Sequence, residues 1–371
     1  MLGRMARSPD RAPCLWLGHR SQEHGDSCIA CSRRVLHFHC KYAVLDSSRL
    51  FGVTMEGIKA YVQALPDVAA WPEIAAFIER AAHKPRPDWE LPSLACRAVG
   101  GDVSLAIVGA AAIACMQASI ILVDDILDDD PRGEHLRSGS GPTANLALGF
   151  QAVAFRLVEQ MTVSPDRRAA ITSSLGWLAF TTALGQHWDV QNLMDEESYW
   201  KVVRAKSTPF YGAALHIGAL LGGAEQEAAA GLRNFGVLMG EIVQICDDLS
   251  DAFQTPANPD WGQGRNNLAI LYARTAGHPD RARFIELSSQ TDDPQALRAA
   301  QRILIRCGAV SYCVYQILRR YQRGRQLLDA LPLADPSPMM ELLSSQRLAL
   351  VSLLKASGAE IPLDLSSASL L

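Results

Sequence analysis

The sequence predicts an all-α protein built as one helical bundle, and three observations support this prediction. Apolar residues recur at spacings of three and four, which is the period of a helix with one buried face. Proline and glycine clusters separate these stretches, as expected for the turns of a bundle. No stretch alternates apolar and polar residues like a strand, and no internal repeat is visible. The predicted helical stretches are 56–65, 72–82, 103–128, 143–162, 167–189, 209–222, 228–253, 295–330 and 338–355.

Each predicted stretch is bounded by residues that end helices. Proline lacks the backbone N–H that a helix interior needs, and glycine adopts the backbone conformations that turns require. Most of the boundaries between the predicted helices carry one or both of these residues. In chain order they are Pro66, Pro85 with Pro87, Pro92, Gly100 with Gly101, Pro131 with Gly133, Ser164 with Pro165, Gly222 with Gly223, and the loop 256–264.

The stretch 103–123 is long and apolar enough to cross a bilayer. It is rich in Ala and Gly rather than in Leu and Phe, and it runs directly into Asp124 and Asp125. These features favour the central helix of a bundle, buried on all sides. We therefore expect a protein that does not span the membrane.

The bulk composition limits the possible functions. Hydrophobic residues make up 49% of the 371 residues and charged residues 20%, so the chain can bury a sizeable core. A net charge of −4 and a pI near 6.1 argue against a nucleic-acid partner. The nine cysteines are odd in number and irregularly spaced, which indicates reduced thiols and a cytoplasmic protein.

Residues 1–54 differ from the rest of the chain. They are rich in Arg, His, Cys and Ser and show no helical period, so we predict a disordered N-terminal extension. The helical domain is predicted to span 55–357, followed by a C-terminal tail at 358–371. The extension has a single CxxC pair with irregularly spaced neighbours, which does not favour a zinc site. The residues concerned are Cys28, Cys31, His37, His39 and Cys40.

Two acidic clusters follow two of the long apolar stretches. Carboxylates packed this densely repel one another and are costly to bury unless a cation joins them. One such cluster is usually a solvated helix end, but two with the same spacing, each after an apolar helix, indicate a divalent metal site. The clusters are Asp124-Asp125-Ile-Leu-Asp128-Asp129-Asp130 and Gln244-Ile-Cys-Asp247-Asp248-Leu-Ser-Asp251.

Helical spacing selects the metal ligands within these clusters. Residues i and i+4 share a helix face, so Asp124 aligns with Asp128 and Asp247 with Asp251. Mg²⁺ takes oxygen ligands, typically one or two carboxylates together with the phosphates of a substrate. Two facing clusters would hold several ions around a diphosphate, beside an apolar cavity. These four residues are the predicted metal ligands. The predicted catalytic residues of the two clusters are Asp124, Asp125, Asp128, Gln244, Asp247 and Asp248.

Five segments of the chain resemble the motifs of the trans-polyprenyl diphosphate synthases and of their class I terpene synthase relatives. They occur in the order of that family, close to its spacing, and cover residues 95–275. The first segment alone would be a weak signal, whereas the set is specific. The segments are Asp124-Asp125-x-x-Asp128; Gly185-Gln186-His-Trp-Asp189; Tyr199 with Lys206-Ser207; Gln244 to Asp251; and Asp260 with Gly264-Arg265-Asn-Asn-Leu268.

The resemblance implies a prenyltransferase of isoprenoid biosynthesis, with a bundle of the isoprenoid synthase type around a deep central apolar cavity. Its substrate would be an allylic prenyl diphosphate, held by three Mg²⁺ ions that bind together with the diphosphate, and the family suggests a homodimer. Lys206 and Arg265 lie where family members place cations on the diphosphate. Lys206 thereby joins the predicted catalytic set, and Arg132 is a third candidate cation.

The resemblance also implies a pocket for the prenyl tail on the turns that precede the first cluster. Ser119 is small where short-chain members often carry an aromatic ring, which favours a C15 or C20 chain. Phe210, Tyr211 and Trp188 could offer ring faces to a carbocation. The predicted tail-pocket residues are Cys115, Met116, Ser119, Ile120, Gln186 and Phe210.

The family pattern fails where condensing members bind isopentenyl diphosphate. Those members use a Gly-Lys-x-x-Arg-Pro segment and paired arginines after the first cluster. This chain has Asp88-Trp-Glu-Leu-Pro92 in the first place and Arg132 alone in the second. Because a second diphosphate needs cations, chain elongation is in doubt, while ionisation of one allylic diphosphate is not.

Three functions therefore stay open. In the first, the prenyl group is transferred to isopentenyl diphosphate held by different residues, or to an uncharged acceptor. In the second, the chain is a terpene synthase that quenches the cation internally. In the third, it is a non-catalytic subunit that modulates a true synthase, which the intact carboxylates argue against.

Overall fold

The computed structural model describes residues 54–83, 85–191, 195–263 and 267–358. These ranges contain seventeen α-helices, two short 3-10 helices and no strand, so the predicted all-α fold is confirmed. The helices are α1 Met55–Gln63, α2 Pro66–Ala69, α3 Pro72–Ala82, α4 Leu91–Ala98, α5 Ile107–Asp128, α6 His135–Ser138, α7 Ser140–Glu159, α8 Pro165–Asp189, α9 Glu196–Lys206, α10 Thr208–Leu221, α11 Gln226–Ala252, α12 Pro259–Gln263, α13 Leu268–Thr275, α14 Arg281–Ser288, α15 Pro294–Arg306, α16 Ala309–Ala330 and α17 Ser337–Ser357.

Helices α5, α10 and α11 form the centre of the bundle. Both α5 up to Ser119 and nearly the whole of α10 are buried, and α11 packs along α10. Helices α4, α7, α8 and α16 pack around this centre. The close approach of α4 to α10 requires Gly218, because a Cβ at that position would overlap the carbonyl of Pro92.

One predicted stretch, 295–330, is two helices rather than one. Gly308 has a φ of +88°, a left-handed conformation that glycine adopts without steric cost. The first helix therefore ends at Arg306 and the second begins at Ala309. The apolar period continues across the break, which is why the pattern predicted a single helix.

Helix α9 was not predicted from apolar spacing, although it carries part of the site. It begins because the Asp195 side chain accepts a hydrogen bond of 2.8 Å from the Ser198 amide. An acidic first turn and a basic last turn also complement the helix dipole. Helices α4, α13 and α14 were not predicted either. Each has only eight residues, which is too short for a helical repeat of apolar residues to be evident.

Within the described residues, the segment Val103–Asp128 alone is long and apolar enough to cross a membrane. In its most apolar window, 72% of the residues are buried inside the protein. Such burial is typical of a core helix and agrees with the expectation of a protein that does not span the membrane.

The predicted N-terminal extension lies, apart from Thr54, outside the described residues, and so does the zinc alternative at Cys28 and Cys31. Thr54 caps α1, whose first residue is Met55, and α17 ends at Ser357. The division of the chain into extension, domain and tail stays a prediction.

Candidate active site

The first acidic cluster lies in the last two turns of α5. The helix ends at Asp128 because Asp129 adopts a left-handed conformation with a φ of 50°. The amide of Asp130 then donates back to the carbonyl of Asp125 at 3.0 Å. This turn leaves Asp124, Asp125 and Asp128 partly exposed at the end of the helix.

Lys206 joins this cluster to α8. Its ammonium lies 3.0 Å from Oδ1 of Asp124 and 2.7 Å from Oδ2 of Asp189. Burial works to lower the pKa of Lys206, but these two carboxylates outweigh it and hold the pKa above its usual value. Lys206 therefore stays positively charged at the point where α5, α8 and α9 meet.

Two residues of the α8 motif have a structural reason for their identity. A Cβ at Gly185 would overlap the amide nitrogen of Lys206, so glycine lets α8 and α9 approach closely. Gln186 donates a hydrogen bond of 2.8 Å to Oδ1 of Asp124. This bond places Gln186 beside the acidic cluster, and its predicted part in the tail pocket stays a prediction.

Asp248 lies beneath the second cluster and is 2% exposed. It accepts hydrogen bonds from the Tyr199 hydroxyl at 2.6 Å, the Gln244 amide at 2.8 Å and the Leu268 backbone amide at 2.8 Å. Burial raises the pKa of Asp248 to about 7, although the three donors oppose the rise. The carboxylate ties α9 and α13 to α11. This geometry lets Asp248 position the helices of the site, and its predicted catalytic role stays a prediction.

Further hydrogen bonds extend this network. The Ser207 hydroxyl donates to the Gln244 side-chain carbonyl at 2.6 Å, which connects the end of α9 to the second cluster. The Asn267 amide donates to the backbone carbonyl of Asp248 at 2.7 Å and to Asp260 at 3.1 Å. The predicted diphosphate-binding residue Arg265 lies outside the described residues.

Arg132 connects the two acidic clusters electrostatically. Asp130 holds its guanidinium, with Nε 3.0 Å from Oδ1 and Nη2 2.7 Å from Oδ2. The pKa of Arg132 is raised first by this hydrogen-bonded pair and further by the charges of Asp125 and Asp251. Since Asp251 belongs to α11, the end of α11 and the turn after α5 lie near each other.

The carboxylates fit Mg²⁺ that binds together with a diphosphate. No three His, Cys, Asp or Glu side chains of the described ranges converge closely enough to enclose a metal ion on their own. Mg²⁺ does not require such a cage, because one or two carboxylates suffice when substrate phosphates complete its shell. Crowding of the carboxylates supports a need for cations. Burial, with the charges of Asp130 and Asp124, raises the pKa of Asp125 to about 6.

The predicted tail-pocket residues of α5 lie in the turns below the first cluster. Cys115, Met116 and Ser119 are at most 1% exposed, and Ile120 is partly exposed. The Ser119 hydroxyl has no hydrogen-bond partner within the described residues. The role of these four residues in binding a prenyl tail stays a prediction.

Of the three rings expected to face a carbocation, one is already engaged. The ammonium of Lys201 lies 3.8 Å from the ring centroid of Trp188, so a cation of the protein covers that ring face. Phe210 and Tyr211 are buried on α10, with ring centroids 5.4 Å apart and nearly perpendicular planes. These two stay candidates for the wall of the tail pocket.

Comparison with protein families identifies the chain. The family model for polyprenyl synthetase matches residues 91–304, which is more than half of the sequence. The chain belongs to the polyprenyl synthetase family. As a member of that family it is an enzyme, a prenyltransferase.

Individual relatives support this family assignment. Short chain isoprenyl diphosphate synthase of Methanothermobacter thermautotrophicus is 28% identical over 286 residues, covering 72% of this chain and 86% of the relative. Octaprenyl diphosphate synthase of Escherichia coli is 26% identical over 257 residues, covering 64% and 77%. Geranylgeranyl pyrophosphate synthetase of Geoglobus acetivorans has the same fold, with a TM-score of 0.68, 21% identity and coverage of 80% and 94%.

Two buried carboxylates, Asp88 and Glu90, lie just before α4, where the family pattern has cations. Asp88 is 4% exposed and accepts a hydrogen bond from the Gln117 amide. The Trp89 ring nitrogen donates to the carbonyl of the same Gln117 at 2.5 Å. Glu90 and Leu91 follow, both buried. No ion pair joins either carboxylate to another residue of the described chain.

Sequence reasoning missed the part that Asp189 plays. Asp189 belongs to the motif Gly185–Asp189, but its role as the second carboxylate bound to Lys206 was not predicted. A signal was present, because Asp189 follows Gln186 by three residues and shares its helix face. The partner of Asp248, the hydroxyl of Tyr199, could not be found this way, since it comes from a different helix.

Proposed function

We propose that this polyprenyl synthetase ionises an allylic prenyl diphosphate in the presence of Mg²⁺ and transfers the prenyl group to an acceptor. One observation carries the proposal: the charged Lys206 is bound between Asp124 and Asp189 at the end of α5 that bears the first acidic cluster. A cation held by two carboxylates can exchange one of them for a diphosphate oxygen when substrate binds.

The carboxylates of α5 and α11 supply the metal ligands of this proposal. When bound, Mg²⁺ neutralises the charge that develops on the leaving diphosphate. Asp125 and Gln244 lie beside these ligands, and Asp248 keeps α11 in place through its three hydrogen bonds. The residues that would hold the metal are Asp124, Asp128, Asp247 and Asp251.

Basic residues bind the diphosphate itself. Lys206 is paired with Asp124 and Arg132 with Asp130, so both lie at the first acidic cluster. Both can donate charge-assisted hydrogen bonds to phosphate oxygens. Arg265 joins them on the basis of its motif. The apolar walls of α5 and α10 would shield the resulting cation from water.

The proposal extends to three further properties. The small Ser119 supports a C15 or C20 prenyl chain. Resemblance to the family supports a homodimer. The described cysteines are free thiols, which supports a cytoplasmic location.

A terpene synthase is the second candidate function. The observation in its favour is the acidic segment at Asp88 and Glu90, which lacks the cations that a second diphosphate needs. Such an enzyme would quench the cation internally and release a hydrocarbon or an alcohol.

One assay tests the proposal. The purified protein is incubated with Mg²⁺ and C10, C15 or C20 allylic diphosphates, with and without isopentenyl diphosphate. We expect diphosphate release that stops when Mg²⁺ is chelated and in the Asp124→Ala variant. Longer diphosphates formed with the second substrate indicate elongation, and hydrocarbons or alcohols formed without it indicate a terpene synthase. The absence of release under every condition would contradict the proposal.

A further inference from the structure

Two buried polar atoms on α8 have no hydrogen-bond partner within the described residues. They are Oγ1 of Thr182, whose residue is 3% exposed, and Oε1 of Gln186, whose residue is 4% exposed. Thr182 precedes Gln186 by four residues, so the two side chains share a face of α8, with Cβ atoms about 5–6 Å apart. Buried polar atoms are nearly always satisfied, so two of them on one helix face indicate a ligand.

The bond between Gln186 and Asp124 locates this pair relative to the first acidic cluster. Nε2 of Gln186 donates to Oδ1 of Asp124 at 2.8 Å. Because a carboxylate only accepts, the nitrogen of the amide must face Asp124, and Oε1 is the end that this bond does not use. Both atoms belong to one amide, so Oε1 lies within about 5 Å of Asp124 Oδ1. The pair therefore adjoins a proposed metal ligand.

The two atoms select the chemical class of the ligand. Oε1 of Gln186 only accepts, whereas the hydroxyl of Thr182 can donate and accept. A diphosphate oxygen cannot donate to Gln186, and a prenyl chain can satisfy neither atom. Mg²⁺ is disfavoured, because it keeps several waters and the ammonium of Lys206 already lies 3.0 Å from Asp124.

A hydroxyl group meets both requirements. It donates to Gln186 and accepts from Thr182, which leaves one lone pair of its oxygen free to attack a carbon atom. The spacing of the two side chains is one that a single hydroxyl oxygen can bridge.

We propose that Thr182 and Gln186 bind the hydroxyl group, from water or from an organic molecule, that captures the prenyl cation. The proposal rests on the ionisation step of the proposed function, which both candidate functions share. It adds the identity of the acceptor, an uncharged oxygen nucleophile. Since apolar walls exclude bulk water from the cation, one bound hydroxyl determines the product.

The chemical step is balanced. The bond between C1 and the diphosphate oxygen breaks, and its electron pair leaves with the diphosphate. A lone pair of the bound hydroxyl oxygen forms a bond to an allylic carbon of the cation, and the hydroxyl proton passes to the released diphosphate. Water thereby gives a prenyl alcohol, and an organic hydroxyl compound gives a prenyl ether.

The test compares wild type with Thr182→Val in the full-length protein, with Mg²⁺ and farnesyl or geranylgeranyl diphosphate. Valine keeps the shape of threonine and removes its hydroxyl. The reactions run in ¹⁸O-labelled water, with and without phenol, and the measured quantity is the prenyl alcohol or ether formed per diphosphate released. Label in the alcohol identifies water as the source, and a prenyl phenyl ether identifies an organic hydroxyl.

We expect this ratio to fall about 10-fold in Thr182→Val, with hydrocarbon in place of the lost product, because one of the two hydrogen bonds to the nucleophile is gone. Thr182→Ser keeps a hydroxyl and should restore the ratio. Thr172→Val is the matched control. It makes the same change on the same helix, at an exposed threonine whose hydroxyl donates to the Arg168 carbonyl at 2.9 Å, and it should leave the ratio at the wild-type value.

An unchanged ratio in Thr182→Val would overturn the proposal, as would wild-type products that consist only of hydrocarbons or longer prenyl diphosphates. A loss of stability in urea with an unchanged ratio would show that the pair has a structural role alone. If wild type releases no diphosphate, the proposed function itself fails; if it does and the ratio is unchanged, only the assignment of Thr182 and Gln186 fails. Thr182→Ala, which needs no additional space, takes the place of Thr182→Val if that variant does not fold.

Discussion

Glu241 and Glu90 are similarly buried carboxylates with opposite surroundings. Glu241 on α11 is 5% exposed, and two guanidinium groups bind it, Arg204 Nε at 3.0 Å and Arg320 Nε at 2.5 Å. Glu90 is 7% exposed, and the charge that acts on it is another carboxylate, Asp88. The fold thus supplies counter-charges where a buried acid joins helices, whereas no described residue forms an ion pair with Glu90.

The paired acid belongs to the scaffold of the site. Glu241 lies one turn before Gln244 on α11, and Arg320 brings α16 against the same turn. The Arg320 guanidinium also lies 4.0 Å from the ring centroid of Trp200 on α9. Charge pairing here holds together the helices that carry the second cluster. Within the described residues, Glu90 makes no such connection between helices.

The largest expected effect comes from removing Lys206, the cation bound between two carboxylates. Lys206→Met leaves Asp124 and Asp189 without their counter-charge and removes a diphosphate ligand. We expect kcat/KM for diphosphate release to fall roughly 10²- to 10³-fold. Lys201→Met, on the same helix but over the Trp188 ring, is the control. Equal rates in both variants would show that Lys206 does not bind the substrate.

Glu241→Gln should destabilise the protein. The variant leaves the mostly buried guanidinium of Arg320 without its carboxylate, and breaking a buried pair costs about 3 kcal/mol. Urea unfolding at pH 7 measures this loss in the free energy of unfolding. A variant as stable as wild type would contradict the conclusion that the ion pairs of Glu241 stabilise the bundle.

In contrast to Glu241→Gln, the variant Glu90→Gln should raise the free energy of unfolding relative to wild type above neutral pH. The folded protein binds a proton at Glu90 up to about pH 7, whereas the unfolded chain releases it near the ordinary value of 4.5. Wild-type stability therefore falls as pH rises through this window. Glutamine does not ionise, so the variant should gain stability over wild type between pH 4.5 and pH 8. The raised pKa corresponds to about 3 kcal/mol for a fully buried group, and solvent screening at Glu90 reduces the expected gain to about 1–2 kcal/mol. A pH-independent difference would contradict the assigned burial.

Tyr199→Phe should have the smallest effect. It removes the 2.6 Å hydrogen bond to the buried carboxylate of Asp248 but keeps the ring and its packing. The expected loss is about 1–2 kcal/mol in the free energy of unfolding. Tyr61→Phe, at an exposed ring on α1, serves as the control and should leave stability unchanged.

Helical spacing predicts the fold and the acidic clusters well, because both depend on local periodicity. The face shared by Asp124 and Asp128 follows from the helix alone. The break at Gly308 does not, since the apolar period runs through it. Helix α9 was missed because its capping residue and charges, rather than apolar residues, define it.

Contacts between helices could not be read from spacing. The resemblance indicated Lys206 as a cation for the substrate, but its bonds to Asp124 and Asp189 depend on how α5, α8 and α9 meet. At the start of α4, the sequence showed that cations are missing. It could not show how far Asp88 and Glu90 are buried, because burial is a property of the packed bundle.

The most direct test of the account follows diphosphate release from farnesyl diphosphate and Mg²⁺ while isopentenyl diphosphate is titrated in. The account places ionisation at the acidic clusters, with Mg²⁺ and Lys206 on the leaving diphosphate. It predicts diphosphate release that does not require isopentenyl diphosphate and that stops when Mg²⁺ is chelated. Release that occurs only with isopentenyl diphosphate, or that persists without Mg²⁺, would contradict it.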